Sequence, residues 1–288
     1  MTVAVQNQFA PGKRVLVVDD DHSLCLMVSK LLERRGFIIT TANDGKQGLE
    51  LLRKQSFDVV LLDVWMPEMT GFDLLTHAHA ENINVPVVMM TSDDTPESVL
   101  RAVREQAVSF LPKPFLPEAL IEAVSQAAST SGVLPIKVLS AKPDWVEVEV
   151  PCQREAAERL YEFMLRLKAG LPEDVRDNLA SAFRELLLNA VEWGGQLDST
   201  RRVRVSYVRL ERMIMYRIAD PGPGFRFEGL VHAAVGNPDP VDHDRQRQEK
   251  GLRPGGFGIV MTRAMVDELI YNEKQNEVLF VKYLEIPK

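Results

Sequence analysis

Between residue 14 and about residue 125, short apolar segments alternate with helical segments, and this alternation limits the possible folds more than any other feature. Residues Val59–Leu62 are apolar without interruption, which is typical of a strand covered on both faces. Strands of this kind, each followed by a helix, build a parallel sheet with helices on both sides. The predicted strands are Val15–Asp19, Phe37–Thr41, Val59–Asp63, Val87–Thr91 and Ser109–Leu111. The sequence therefore predicts a doubly wound α/β domain with a five-stranded parallel sheet.

A change of pattern after residue 128 indicates a second domain. Residues 129–143 are rich in Ser, Gly and Pro and break the periodicity, so we expect a linker there. From residue 144 onward, strands and helices do not alternate one by one, which predicts an α+β two-layer sandwich. The predicted elements are Val146–Val150, Arg154–Lys168, Glu173–Trp193, Arg202–Leu210, Met213–Asp220, Phe257–Val266, Glu268–Asn272 and Glu277–Glu285. We therefore expect one domain at 12–128 and another at 144–288, with a long polar loop at 221–255.

Charge and composition exclude several classes of function. The net charge is −7, the acid excess lies in the first domain, and no extended basic block is present, so we expect no direct binding to nucleic acid or to anionic membranes. No apolar run approaches the roughly 18 residues that a membrane span needs, and no signal architecture begins the chain. Cys25 and Cys152 have no metal or redox spacing, so we expect reduced thiols. These features predict a cytoplasmic protein with protein or small-molecule partners.

Polar side chains follow four of the five predicted strands in the first domain. In an open parallel sheet, ligands bind beyond the carboxyl ends of the strands, where the strand order reverses. Clustered carboxylates there favour a hard cation, and Mg²⁺ is the usual one where phosphate oxygens complete its ligands. The residues are Asp19 and Asp20 after the first strand, Asp63 after the third, Thr91 at the fourth and Lys113 after the fifth. Any one of these aspartates is as well explained as a turn cap, but the full set predicts phosphoryl transfer to Asp63 with Lys113 neutralising charge.

This set of residues, with Met66-Pro67, Gly71 and Lys113-Pro114-Phe115, resembles the response-regulator receiver family over residues 12 to 128. The resemblance implies that an upstream histidine kinase or phosphotransfer protein phosphorylates Asp63. It implies that Asp20, Asp63 and the backbone carbonyl of Trp65 bind Mg²⁺, with Asp19 helping through water.

The same resemblance assigns a switch and a backbone feature. Thr91 and Phe110 correspond to the switch pair, whose inward movement changes the domain surface. The Lys113-Pro114 bond is expected to be cis. Trp65 is bulkier than the residue that the family usually carries two positions after the phosphoacceptor, which predicts slow autodephosphorylation.

The second domain carries three weaker motifs. Glu185 and Asn189 lie four residues apart in a predicted helix, so both side chains can face one ligand. Asp220-Pro221-Gly222-Pro223-Gly224 follows a strand, and Gly255-Gly256-Phe257-Gly258 precedes a helix, where backbone amides favour phosphate. Taken singly, the pair can be a solvated pair and the glycine motifs can be tight turns.

Together and in this order, the three motifs resemble the nucleotide pocket of the GHKL ATPase superfamily, and above all the anti-sigma-factor serine kinases. The resemblance covers residues 144 to 286 and implies that ATP is bound with Mg²⁺. The implied roles are Asn189 as Mg²⁺ ligand, Asp220 as acceptor from the adenine amino group, Gly222 and Gly224 for close backbone approach, Gly256 and Gly258 as phosphate caps, and Glu185 as general base. Trp193-Gly194 departs from the family's frequent His-Gly.

Arginines near these motifs have simpler interpretations. The run Arg201-Arg202-Val203-Arg204 is interpreted as a solvated strand start, and Arg253 in the predicted loop is a weaker candidate for a phosphate contact.

Two functions remain open from the sequence. In the first, phosphorylation of Asp63 controls an ATP-dependent serine/threonine kinase that acts on an anti-anti-sigma-type protein or binds a sigma factor. In the second, the domain binds ATP without transferring it and works as a partner-switching module. A histidine kinase is disfavoured because no dimerisation helix carries a phosphorylatable histidine, and a transcription factor because no basic recognition helix follows the receiver. Both families commonly pair, so a homodimer is compatible with the sequence.

Overall fold

The computed structural model describes residues 12–93, 95–129, 133–167, 171–225 and 258–284. The chain divides into two compact units, Met1–Gly132 and Val133–Lys288. Each unit is described by itself below.

The first unit is built around a five-stranded parallel sheet with the order β2-β1-β3-β4-β5. Every residue of β3 is buried, as the uninterrupted apolar pattern predicts. The order reverses beside β1, so the carboxyl ends of β1 and β3 form the crevice where a ligand can bind. The strands are β1 (Arg14–Val18), β2 (Ile38–Ala42), β3 (Val59–Asp63), β4 (Val87–Thr91) and β5 (Ser109–Pro112). The predicted doubly wound fold is confirmed.

Among the described residues, five helices cover this sheet, and side chains at their first turns explain where several of them begin. Asp21 accepts hydrogen bonds from the backbone N–H groups of Ser23 and Leu24 at the start of α1. Thr70 and Asp73 form a reciprocal capping box at the start of α3. The helices are α1 (His22–Glu33), α2 (Gly45–Lys54), α3 (Gly71–Ala80), α4 (Pro96–Arg104) and α5 (Pro117–Ser129).

The second unit contains a six-stranded antiparallel sheet with the order β10-β11-β9-β8-β7-β6. Burial alternates along β7 and β9, as expected for a sheet that packs helices on one face. The ring of Phe183 on α7 lies 4.9 Å from the ring of Tyr216 on β9. The strands are β6 (Lys137–Lys142), β7 (Trp145–Pro151), β8 (Arg202–Leu210), β9 (Met213–Ala219), β10 (Glu268–Tyr271) and β11 (Glu277–Tyr283), and the helices are α6 (Arg154–Arg166), α7 (Glu173–Asn189) and α8 (Gly258–Met265).

Two expectations about local structure need correction. Strand β6 lies inside the interval 129–143 that we expected to be a linker, and it pairs with β7 through a bulge between Val138 and Ser140. The long helix predicted to reach Trp193 is α-helical only to Asn189 and continues as a π-helical turn, Ala190–Gly194. Both features depend on contacts with neighbouring elements. The periodicity of the sequence contains no information about those contacts, so it predicts neither the edge strand nor the change of helix type.

In the part of the chain that the structure describes, no helix is long and apolar enough to cross a membrane.

Candidate functional site

Three carboxylates meet at the carboxyl ends of β1 and β3. Asp19, Asp20 and Asp63 each place a carboxylate oxygen within 4.8 Å of the others. Asp19 is fully buried and Asp63 is 5% exposed, whereas Asp20 is exposed to solvent. The third acid of the run, Asp21, caps α1 and so has a structural role. The structure thus brings together the three predicted metal-binding aspartates.

Lys113 completes this cluster from the loop after β5. Its Nζ lies 2.7 Å from Asp19 Oδ2 and 3.0 Å from Asp63 Oδ1. The Lys113-Pro114 peptide bond is cis, as predicted. A single ammonium therefore contacts the two most deeply buried acids of the crevice.

The electrostatics of the crevice favour a cation. Burial raises the pKa of Asp63, the neighbouring charges of Asp19 and Asp20 raise it further, and Lys113 opposes both effects. Burial alone would lower the pKa of Lys113, but its contacts with Asp19 and Asp63 raise it. Three oxygen donors from carboxylates are the type of ligand that Mg²⁺ prefers, so these residues fit the predicted metal.

The remaining predicted receiver residues lie around the crevice. Thr91 is fully buried, and its hydroxyl accepts a hydrogen bond of 3.0 Å from the backbone N–H of Asp93. Phe110 is buried on β5, whose register pairs it with Met89 on β4. Trp65 follows β3 by two residues, and this residue is 53% exposed. An aromatic ring thus stands in solvent next to the phosphoacceptor candidate.

Glu185 and Asn189 lie on the same face of α7 in the second unit. Asn189 Nδ2 donates a hydrogen bond of 3.2 Å to Glu185 Oε1. The first residue of α8, Gly258, packs so closely that a Cβ there would lie 1.9 Å from Glu185 Oε1. The Glu185 carboxylate therefore lies directly against the N-terminal end of α8, and a side chain at residue 258 would have to displace it.

Asp220 occupies a turn immediately after β9 and is half-buried. Its Oδ1 accepts a 2.7 Å hydrogen bond from the backbone N–H of Gly222, and its own N–H donates to the carbonyl of Asn276. The side-chain amide of Asn276 donates to the carbonyl of Gly222. Burial raises the pKa of Asp220, while the Gly222 N–H and the charge of Arg201 lower it. The turn is thus held by a hydrogen bond within itself and by two hydrogen bonds to Asn276.

The glycines of this turn have neighbours within the protein. Gly224 has φ +84°, and a Cβ there would lie 1.6 Å from the carbonyl oxygen of Lys274 in the β10–β11 hairpin. A Cβ at Gly194, in the π-helical turn, would lie 2.2 Å from Asp220 Cγ. Close packing against the backbone of Lys274 therefore requires glycine at residue 224, whatever a nucleotide requires.

Sequence reasoning missed one side chain that reaches this turn. Arg201 Nη2 donates a hydrogen bond to the carbonyl of Pro221, twenty residues away in sequence. The run of arginines at the start of β8 is a visible signal, but it carries no information about the direction of each side chain. Gly256, Arg253 and most of the predicted loop lie outside the described residues.

Together, the fold and the two clusters define a receiver domain followed by an ATPase-like domain. The response regulator receiver domain family matches residues 15–125, and the histidine kinase-like ATPase domain family matches residues 151–282. DNA-binding response regulator MtrA of Mycolicibacterium paratuberculosis is 31% identical over 70% of this chain and 89% of its own length. The chain belongs to the response regulators.

Other relatives match a smaller share of the chain. Two-component response regulator ARR10 of Arabidopsis thaliana is 40% identical over 41% of this chain. The matched part spans 22% of that relative's length. The solved structure of the Vibrio cholerae chemotaxis protein CheY4 has 35% identity, covers 40% of this chain and 98% of its own, and has a TM-score of 0.39.

Proposed function

We propose that phosphorylation of Asp63 controls an ATP-dependent serine/threonine protein kinase formed by the second unit. The observation that carries this proposal is the contact of the Glu185–Asn189 pair with the N-terminal end of α8, in a chain that also contains the acidic crevice. A carboxylate beside an amide at a helix N-terminus combines a candidate base, a candidate metal ligand and a phosphate-binding position.

In the receiver unit, Asp63 accepts the phosphoryl group from a histidine kinase or phosphotransfer protein. Asp20, Asp63 and the backbone carbonyl of Trp65 would hold Mg²⁺, with Asp19 contributing through water. The ion supplies positive charge to the transferred phosphoryl oxygens. Lys113 lies 3.0 Å from Asp63 and neutralises charge at the same position. Thr91 and Phe110 then report the modification, because an inward turn of the Thr91 hydroxyl would break its bond to Asp93.

In the second unit, Asp220 accepts a hydrogen bond from the adenine amino group and Asn189 holds the Mg²⁺ of ATP. Glu185 orients the hydroxyl of the protein substrate as general base. Two observations support this assignment. The backbone of Gly258 packs directly against the Glu185 side chain, and Asp220 lies half-buried in a turn that hydrogen bonds to Gly222 and Asn276 hold. The partner expected from the resemblance is an anti-anti-sigma-type protein or a sigma factor.

A second candidate function is a partner-switching module that binds ATP without transferring it. The observation that favours it is the state of Glu185, whose carboxylate accepts from Asn189 and packs against Gly258. A base held in this way must be released before it can meet a substrate hydroxyl.

The variant Glu185→Ala separates the two functions. If the unit is a kinase, phosphoryl transfer collapses while ATP binding survives; if it only binds ATP, the variant signals as the unchanged protein does. Glu173→Ala is the matched control, because this acid lies on the same helix with its side chain 84% exposed.

Regulation of the second unit by the receiver is tested on the purified full chain with and without acetyl phosphate and Mg²⁺. We expect ATP binding or transfer to change on addition of acetyl phosphate in the unchanged protein and in Glu68→Gln, an exposed acid of the same loop. The change should be absent in Asp63→Asn. An equal response in Asp63→Asn would contradict the proposal, and specific retention on a DNA column would favour a transcription factor instead.

A further inference from the structure

Arg201 links the start of β8 to the turn that contains Asp220. Its guanidinium donates to the carbonyl of Pro221, the residue that directly follows Asp220. Its own backbone is held on both sides, since its N–H donates to Asp198 and its carbonyl accepts from Cys152 N–H. The β8–β9 register pairs Arg204 with Ala219, so the two strand ends lie side by side. The backbone of Arg201 is thus held directly before β8, and its guanidinium is held by the turn.

We infer that Arg201 is a positioning residue of the nucleotide site, which holds the turn that carries Asp220 and so contributes to the selection of adenine over guanine. The positive charge of Arg201 also lowers the pKa of Asp220 and favours its charged form. This inference rests on the proposed binding of ATP by the second unit. It assigns a function to a side chain that the sequence pattern alone places in solvent.

The charges around Asp220 support this role. Burial raises the pKa of Asp220, and Arg201 opposes that effect. Two other titratable groups act electrostatically with Asp220: burial raises the pKa of the Cys152 thiol to about 11, and burial also raises the pKa of Tyr271. Both are therefore neutral at pH 7, whereas arginine is charged throughout. Asp198, which lies near Arg201, is engaged by the N–H and hydroxyl of Thr200.

The hydrogen-bonding chemistry of the bases explains the consequence. The 6-amino group of adenine donates, so it needs an acceptor, and a charged carboxylate only accepts. The 6-oxo group of guanine accepts, so it is better matched by a protonated carboxyl group, which can donate. Loss of Arg201 should therefore change base selection in a way that depends on pH.

The test measures binding of ADP and GDP to the full chain by calorimetry between pH 6 and pH 8.5. We expect Arg201→Gln to weaken ADP binding about tenfold at pH 7. Part of the loss should return at pH 8.5, and the preference for adenine should decline further toward pH 6. Arg201→Lys keeps the charge and should keep the pH profile of the unchanged protein.

Arg202→Gln is the matched control, because Arg202 donates instead to the carbonyls of Pro135 and Glu149. This control should bind both nucleotides as the unchanged protein does. An equal, pH-independent loss of ADP and GDP binding in Arg201→Gln would show a merely structural role and overturn the inference.

A second measurement does not depend on nucleotide. The titration of the Asp220 carboxyl carbon, assigned with Asp220→Asn, is followed by carbon-13 NMR in the full chain. We expect the pKa of Asp220 to rise in Arg201→Gln and to stay in place in Arg202→Gln. If the unchanged protein binds neither nucleotide, the proposed function fails, while this titration still decides whether Arg201 controls Asp220. An unchanged Asp220 titration in Arg201→Gln overturns the inference.

Discussion

Replacement of Gly224 by alanine tests whether the turn after β9 is shaped by the protein itself. The added Cβ would lie 1.6 Å from the carbonyl oxygen of Lys274, whereas ordinary contact begins at 3.4 Å. The turn and the β10–β11 hairpin must therefore separate by about 1.8 Å. Gly224 also has φ +84°, which alanine adopts only with strain.

The two costs add within the second unit. Left-handed backbone costs an alanine about 1–2 kcal/mol. Overpacking against a neighbour that cannot rotate away costs typically about 1–3 kcal/mol. We expect Gly224→Ala to lower the free energy of unfolding of the second unit by about 2–5 kcal/mol.

Urea unfolding followed by tryptophan fluorescence measures this loss. In a Trp65→Phe background, Trp145 and Trp193 report on the second unit alone. Gly12→Ala is the control for backbone strain, because Gly12 has φ +90° with nothing within 4 Å of an added Cβ. Since Gly12 lies in the first unit, its unfolding is followed through Trp65, with Trp145 and Trp193 replaced by Phe. A loss in Gly224→Ala no larger than the ~1–2 kcal/mol of backbone strain would refute the packing argument. An unchanged stability with weaker ATP binding would instead show that Gly224 makes room for nucleotide.

Two further predictions concern the receiver unit. Trp65→Asn should shorten the lifetime of the aspartyl phosphate, measured by chase after acetyl phosphate labelling, because it removes an exposed ring beside Asp63. Burial alone would raise the pKa of Asp58, but hydrogen bonds from Lys13 and from the backbone N–H of Arg14 outweigh it and lower the pKa below the ordinary 3.8. Below pH 3.8 the unfolded chain binds this proton more readily than the folded unit, so the stability from Asp58 is present above that pH and is lost as pH falls through the lowered pKa.

Each of these predictions has a result that would contradict it. An unchanged phosphate lifetime in Trp65→Asn would show that the ring does not hinder the attacking water, and Trp145→Asn, in the second unit, should have no effect on it. For Asp58→Asn, urea unfolding monitored through Trp65, with Trp145 and Trp193 replaced by Phe, should show a flatter pH dependence of stability between about pH 5 and pH 2. Equal slopes with and without Asp58 would contradict the assignment.

Much of the candidate site follows from the sequence because strand ends are local features. Asp19 and Lys113 are 94 residues apart, yet both were expected in one crevice, since parallel strands bring all carboxyl ends to one edge of the sheet. The contact between Glu185 and Asn189 similarly follows from the geometry of one helix. The repeat of apolar residues therefore predicts both the doubly wound sheet and the ends at which its polar residues meet.

Other features depended on contacts that no local pattern contains. Strand β6 has little apolar alternation and exists because β7 offers it a hydrogen-bonding edge. The guanidinium of Arg201 could point to solvent or to the protein, and the backbone of the turn after β9 decides between them. Gly224 is explained by a carbonyl fifty residues later in the chain. The sequence alone determined which elements form and which polar groups end them, because those depend on periodicity and topology. The tertiary structure decided which neighbours those groups meet, because close packing is set by residues distant in the chain.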